Sequence, residues 1–270
     1  MTHTAGLTYG FAGTSPVNQM YDEKLWSNPK NSSMSSQDAV DTLAGIPLFY
    51  SPGDFWGYSI GIDILGILIE RISGVTLSEF LDTNIFKPLN MDDTGFSVPV
   101  GKKSRFTNVY TKRDNSDGYD LLEKGDSSKY LNEPAFYSGG GGSVSTIDDY
   151  MKYLSLLIGR GHSNGQTLMG EKTVELLMAN QFDHGVYLDN YQKEDSGFPF
   201  AAGIGYSPGG AVNVEPFKGI SPLSTPGEYF WFGAAFTLFW VDPIENISVV
   251  FMSHILNNFR DENGKNIMRD

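Results

Sequence analysis

The run GEYFWFGAAFTLFWVDPIENISVVFMSH, residues 227–254, constrains the fold of this chain more than any other stretch. Aromatic and β-branched side chains dominate it, and they suit a pleated, half-buried surface. Turn-forming residues interrupt it over 242–246, so the run predicts two strands joined by a turn there. Strands of that composition must be covered. Left with a free edge or face, they become sites of aggregation or of pairing with another copy of the chain.

Helical periodicity lies upstream. Residues 1–35 read as loop, rich in Ser, Asn, Thr and Gly. A short helix is expected over 37–45, with Ser36 as its cap and Val40, Leu43 and Ala44 facing inward. IGIDILGILIERISG, 60–74, predicts a helix that is apolar nearly all round and hence buried on most sides, stopped by Gly74. The next helix opens on a capping box, Thr76 and Glu79, and ends at Pro88. Residues 92–137 read as a long irregular excursion. YSGGGGSVSTIDDYMKYLSLLIGRG, 137–161, reads as a glycine loop opening into a helix. Ser145 and Asp148 form its box, and Tyr150, Met151, Leu154, Leu157 and Ile158 its apolar stripe. A further helix covers about 171–180. The coarse division is a mainly helical and loop region over about 36–200 and strands over about 201–270.

Several function classes are excluded or disfavoured by composition. With 270 residues, 40% apolar and 13% aromatic, the chain has the material for a core and is not of disordered type. Its formal charge of −13, from 19 basic and 32 acidic side chains, repels phosphate backbones and anionic lipid. Nucleic acid and membrane surfaces are therefore not expected partners, and no apolar run reaches membrane-spanning length. Without cysteine there is no disulfide, thiolate metal site or Cys nucleophile. The four histidines are scattered, none at ligand spacing from another, so neither a metal nor a cofactor is expected. The N-terminus lacks the layout of a signal peptide, which leaves the compartment open.

Three candidates for chemistry stand out. Gly205-Tyr206-Ser207-Pro208-Gly209 matches G-x-S-x-G, and Asp242 and His254 follow in nucleophile-elbow order. The elbow uses the backbone N–H after its serine, and Pro208 has none. It must also lead into a helix, which GGAVNVEP does not favour. The motif therefore reads as a strand end and turn. The glycine run 139–142 lacks the Gly-Lys-Ser/Thr of a phosphate loop. It is either a hinge or a place where backbone approaches a substrate or a helix closely. Tyr58, between a Pro-Gly turn and the helix at 60–74, is either a packed aromatic or a proton-transfer group. For the second role its pKa of about 10 must be lowered by a cation. His3 and His254 carry only the prior of a lone histidine, which is structural.

Four segments together resemble the serine β-lactamase-related family, of class C β-lactamases, similar esterases and DD-peptidases of penicillin-binding-protein type. They are HTAGLTYGF (3–11), PLFYSPGDFWGYSIGIDILGILIERISGVTLSEFLDTNIFKPLNMDDTGFSVP (47–99), SGGGGSVSTIDDYMKYL (138–154) and WFGAAFTLFWVDP (231–243). The esterase-like branch is nearest. The resemblance implies an α/β (α+β) fold, with an antiparallel sheet, flanking helices and a helical region around a cleft. It implies acyl transfer on a small-molecule ester or amide through a serine and lysine in S-x-x-K, with a tyrosine as general base beside the lysine.

Mapped here, the resemblance makes Tyr58 the base, with Ile60 standing where the family has asparagine. Trp231-Phe232-Gly233 takes the place of the third motif, with Ala234 supplying an oxyanion N–H from the strand. Gly140 and Gly141 join Trp231, Phe232 and Gly233 as substrate-binding positions. Loss of the third motif's lysine points to neutral esters rather than β-lactam carboxylates. The family's S-x-x-K lies upstream of the HTAGL segment, which begins here at residue 3. Ser27-Asn28-Pro29-Lys30 is on the other side and carries a proline, so no nucleophile is expected in this chain. The expectation is of a fragment truncated at both ends, inactive alone, with Tyr58 at a near-normal pKa and a sheet edge open to self-association. The alternative is a non-catalytic binding or scaffold protein on the same fold. The glycine loop, Tyr58 and Trp231–Ala234 are expected to converge on one cleft.

Overall fold

The computed structural model describes residues 1–25, 29–113, 118–193, 202–215 and 224–256. Helix α1, Pro16–Lys24, falls where a loop was expected. The Ser15 hydroxyl accepts the Asn18 N–H, and Pro16 sits in the first turn, where no N–H is needed. The polar composition concealed it: Asn18 is buried because its amide donates to Thr8 Oγ1 and Tyr9 O. Helix α2, Ser36–Ala44, is capped one residue earlier than expected, by Ser35 in a capping box with Asp38. One residue turns a helix by about 100°. Ala39 is accordingly the buried position, and Ala44, expected inward, is exposed.

Helix α3, Gly61–Ser73, ends as expected on Gly74, whose φ of 74° is left-handed. It is not buried on most sides, because Leu68 and Ile72 are 50% and 79% exposed. Helix α4, Leu77–Leu81, opens on the Thr76–Glu79 box and runs into a single π turn, Asp82–Phe86. Glu70 ties these helices together, accepting from Ser36 Oγ of α2 and from the Leu77 N–H of α4. The supposed irregular excursion contains strands β1, Val109–Lys112, and β2, Tyr119–Glu123, paired antiparallel. Helix α5, Ile147–Ile158, is capped by Thr146 rather than by Ser145. A hairpin of β3, His162–Ser163, and β4, Gln166–Thr167, follows, and then α6, Glu171–Met178, and α7, Leu188–Tyr191.

Five antiparallel strands in chain order form the main sheet: β5, Ile204–Tyr206; β6, Ala211–Asn213; β7, Tyr229–Gly233; β8, Thr237–Asp242; and β9, Ile247–Met252. Strand β10, Ile255–Leu256, leaves this sheet and pairs in parallel with β1. The aromatic run is therefore three strands, not two. Its extra turn joins Gly233 to Thr237, with Phe236 at a left-handed φ of 56°. Ala234, Ala235 and Phe236 carry no turn chemistry, which is why the break was not visible in the sequence. The second turn is where it was expected: Asp242 Oδ1 accepts the N–H groups of Ile244 and Glu245.

Helix α5 covers one face of this sheet. Leu154 and Leu157 meet Val212, Tyr229, Phe239 and Val241 in a buried cluster, with Tyr150, Met151 and Ile158 packed against it. Burying each large side chain of this kind contributes about 1.5–3 kcal/mol. On the opposite face, Leu238 and Phe251 are cross-strand partners, and Phe251 is 47% exposed. Strand β9 is an edge of this sheet among the described residues.

Candidate active site

The segment that carries Tyr58 is held from two sides. Trp56 N–H donates to Tyr191 O at 2.9 Å, and Lys193 N–H to Trp56 O at 2.8 Å. On the other side Gly57 N–H donates to His3 O at 2.9 Å, and Ser59 N–H to His3 Nδ1 at 3.3 Å. Ile60 then takes the N-cap position of α3. Tyr58 thus sits in a bracketed stretch of chain at a helix start. Its ring lies 5.0 Å from His3, 5.1 Å from Tyr9 and 5.7 Å from Trp231, centroid to centroid.

Burial raises the Tyr58 pKa, a hydrogen bond from the Trp231 side chain pulls it partway down, and the Asp63 carboxylate raises it again. Neither lysine nor arginine is among these causes. The expectation of a near-normal phenol is therefore corrected upward. Desolvation disfavours phenolate, and the nearest charge that matters is negative.

Asp63 was not singled out in the sequence. It occupies the first turn of α3 and is 1% exposed. Its carboxylate accepts from the Ser138 hydroxyl, from the Gly140 N–H at 3.2 Å and from the Tyr9 hydroxyl at 3.3 Å. Burial raises its pKa, and these bonds partly offset that rise. The available signal was a single carboxylate within an otherwise apolar stretch, IGIDILGILI. Such a group is buried only when its acceptor sites are filled.

Asp63 settles how the glycine loop works structurally. A Cβ on Gly139 would lie 2.7 Å from Ile62 O, and one on Gly140 would lie 2.7 Å from Asp63 Oδ2 and 2.9 Å from the Tyr9 hydroxyl. These positions are close approaches of the loop to α3, not a free hinge. Gly141 has open space instead.

The structure brings Tyr58, Trp231 and, through Asp63 and Tyr9, Gly140 into one connected cluster. Trp231 stacks on Phe232 at 4.9 Å, and Gly233 closes β7, where a Cβ would lie 2.5 Å from Thr237 Oγ1. Ala234 departs from expectation: it is in the turn after β7 and exposed, so its N–H is not a strand N–H. Ser207 is fully buried, its hydroxyl donating to Gly210 O at 3.0 Å within the β5–β6 hairpin. Asp242 is occupied with Thr225 and its own turn. Nothing here forms a nucleophile elbow. Of the Ser-x-x-Lys at 27–30, Ser27 and Asn28 lie outside the described residues, and Lys30 is exposed. The 257–270 tail is likewise outside them. Among the described residues no group of three His, Cys, Asp or Glu side chains is placed to hold a metal ion, and no helix is long and apolar enough to cross a membrane.

The family model described as Beta-lactamase matches residues 1–269. An uncharacterised protein of Mycobacterium tuberculosis is 30% identical over 259 residues, which span 93% of this chain and 60% of that protein. A lovastatin esterase of Penicillium rubens is 29% identical over 161 residues, covering 58% of this chain and 38% of the esterase. Among solved structures, EstCE1, a hydrolase with promiscuous acyltransferase activity, superposes with a TM-score of 0.72 at 22% identity, over 100% of this chain and 69% of that one. The last of these speaks for the fold alone, a mixed α/β architecture of β-lactamase and transpeptidase type.

Proposed function

The chain belongs to the beta-lactamase family, and from that premise we propose that it carries the tyrosine half of an acyl-transfer site acting on small neutral esters. One observation supports this reading above the others. Trp231, on the strand that stands for the family's third motif, makes a hydrogen bond to the side chain of Tyr58. These residues are 173 positions apart in sequence, yet an N–H donor meets the phenol oxygen that has to hold negative charge. A donor at that oxygen favours phenolate. Burial and Asp63 oppose it, so Tyr58 takes a proton only when a cation stands beside it. A Ser-x-x-Lys helix would supply that cation and the nucleophile together. Then the phenolate accepts the serine proton, the serine oxygen bonds the acyl carbon, and the proton is passed to the departing alcohol.

Neutral esters suit the site better than carboxylate-bearing β-lactams or peptides. The charge within the cluster is the Asp63 carboxylate, and Trp231, Phe232 and Tyr9 present aromatic surface. Taken alone, the raised pKa of Tyr58 favours the second reading, a binding protein on the same fold.

Turnover of p-nitrophenyl butyrate and of a chromogenic cephalosporin, by a form of the protein carrying a Ser-x-x-Lys segment, separates the two. On the acyl-transfer reading the ester is the better substrate, Tyr58→Phe lowers turnover roughly 10²–10⁴-fold, and Ser207→Ala leaves it unchanged. No turnover in such a form supports the binding protein. Loss on Ser207→Ala, with Tyr58→Phe silent, would overturn the assignment of Tyr58.

A further inference from the structure

We propose that His3 is the positioning residue for Tyr58, holding the main chain on both sides of the tyrosine and so fixing where its hydroxyl points. The consequence for catalysis rests on the acyl-transfer reading above; the geometry does not. The His3 carbonyl accepts the Gly57 N–H at 2.9 Å, and its Nδ1 accepts the Ser59 N–H at 3.3 Å. One residue thus bonds the neighbours of Tyr58 on either side.

Further observations make this a built clamp. The Ser59 hydroxyl lies 3.0 Å from the same Nδ1. A backbone N–H is an obligate donor, so with the Ser59 N–H on it Nδ1 is the unprotonated nitrogen and the ring proton is on Nε2. The Tyr50 hydroxyl donates to the His3 carbonyl at 3.0 Å. A Cβ on Gly57 would lie 2.8 Å from that hydroxyl, so the bond is made over a position with no side chain. His3 itself has a left-handed φ of 54°, a conformation that persists where the surroundings over-determine it. It is 4% exposed, with its ring 6.0 Å from Trp56 and 5.5 Å from Tyr206. Burial holds the imidazole neutral at neutral pH. Its effect on Tyr58 is exerted through the backbone and through a ring contact of 5.0 Å.

The test uses this chain with ring-¹³C-labelled tyrosine, the Tyr58 signal being identified by its loss in Tyr58→Phe. In His3→Asn the amide oxygen stands where Nδ1 stood, and Asn accepts a left-handed φ. Both variants remove the imidazole ring 5.0 Å from Tyr58, so in His3→Asn the Tyr58 signal is expected to move by the loss of that ring current alone and to stay sharp. In His3→Gln the acceptor is one carbon farther out, and the Tyr58 signal is expected to lie more than its linewidth from its place in His3→Asn, or to broaden. Tyr150 and Tyr229, in the cluster beneath α5, should not move in either variant. Should His3→Gln fail to fold, His3→Gly carries the same test, because it accepts the left-handed φ and removes the Nδ1 acceptor while keeping the carbonyl. A Tyr58 signal that coincides in His3→Asn and in His3→Gln or His3→Gly overturns the proposal. So does a shift shared equally by all tyrosines in His3→Asn, which would make His3 only a piece of core. Movement as expected, in a protein that in no form turns over an ester, would leave the positioning role standing and the acyl-transfer reading fallen.

Discussion

At the scale of single residues, the site is decided by what burial does to three titratable groups. His3, Tyr58 and Asp63 are each pushed towards their neutral forms. For His3 the pKa falls from 6.5 to about 3, through burial first and the N-terminal ammonium second. Its folded value is depressed, so between those limits the unfolded chain binds the proton and the folded chain does not. Stability from this residue is present above pH 6.5 and is lost as pH falls towards 3. The groups around the ring (Tyr58, Tyr206, Trp56 and Ser59) are neutral there and add no competing titration in that window. Asp63 works in the opposite sense, its raised pKa favouring the folded state as pH falls, but equally in parent and variant. Urea unfolding at pH 6.5 and pH 4.5 should therefore show the parent losing about 2–3 kcal/mol more than His3→Asn. Equal losses in the two would contradict a buried neutral imidazole. Sequence reasoning reached Tyr58 because a resemblance pointed there. It passed over Asp63 because a lone carboxylate in an apolar run reads as a solvated position, and it left His3 as an ordinary core histidine because its partner, Ser59, is 56 residues away.

At the scale of elements, local signals located most helices and misplaced their caps. Gly74 and the Thr76–Glu79 box act where the sequence put them. Ser35 and Thr146 take the cap positions assigned to neighbours, because adjacent Ser and Thr residues compete and packing decides which wins. Helix α1 and strands β1 and β2 lay hidden in polar sequence: Asn18 of α1 is buried by donating to Thr8 and Tyr9, and β1 is held between β2 and the distant β10. The glycine loop is the element whose structure makes the sharpest claim. Gly140→Ala forces a methyl against Asp63 and Tyr9 and should destabilise by roughly 1–3 kcal/mol. Gly141→Ala meets open space and should stay within about 0.5 kcal/mol of the parent. Thermal melts of the pair test this, and equal melting temperatures would mean that the loop does not rest on α3 as described.

At the scale of the whole molecule, the sheet is covered by α5 on one side and carries Leu238 and Phe251 on the other, beside the edge strand β9. Exposed apolar surface next to strand backbone that is unpaired among the described residues favours pairing with another copy. Sedimentation of the chain should show association that increases with concentration, and Phe251→Lys should weaken it; concentration-independent monomers would argue against that surface. The general architecture was legible because aromatic strands and capped helices advertise themselves. The break into β7 and β8 was not, because Ala and Phe in a turn give no sign of it. The proposed reading, Tyr58 with its Trp231 donor and no activated serine among the described residues, is tested by exposing residues 1–270 to a fluorophosphonate probe and p-nitrophenyl butyrate. No stoichiometric labelling of any serine is expected, Ser27, Ser59, Ser138 and Ser207 included, and no turnover above buffer. Stoichiometric labelling of one serine, with turnover abolished by its replacement with alanine, would contradict it.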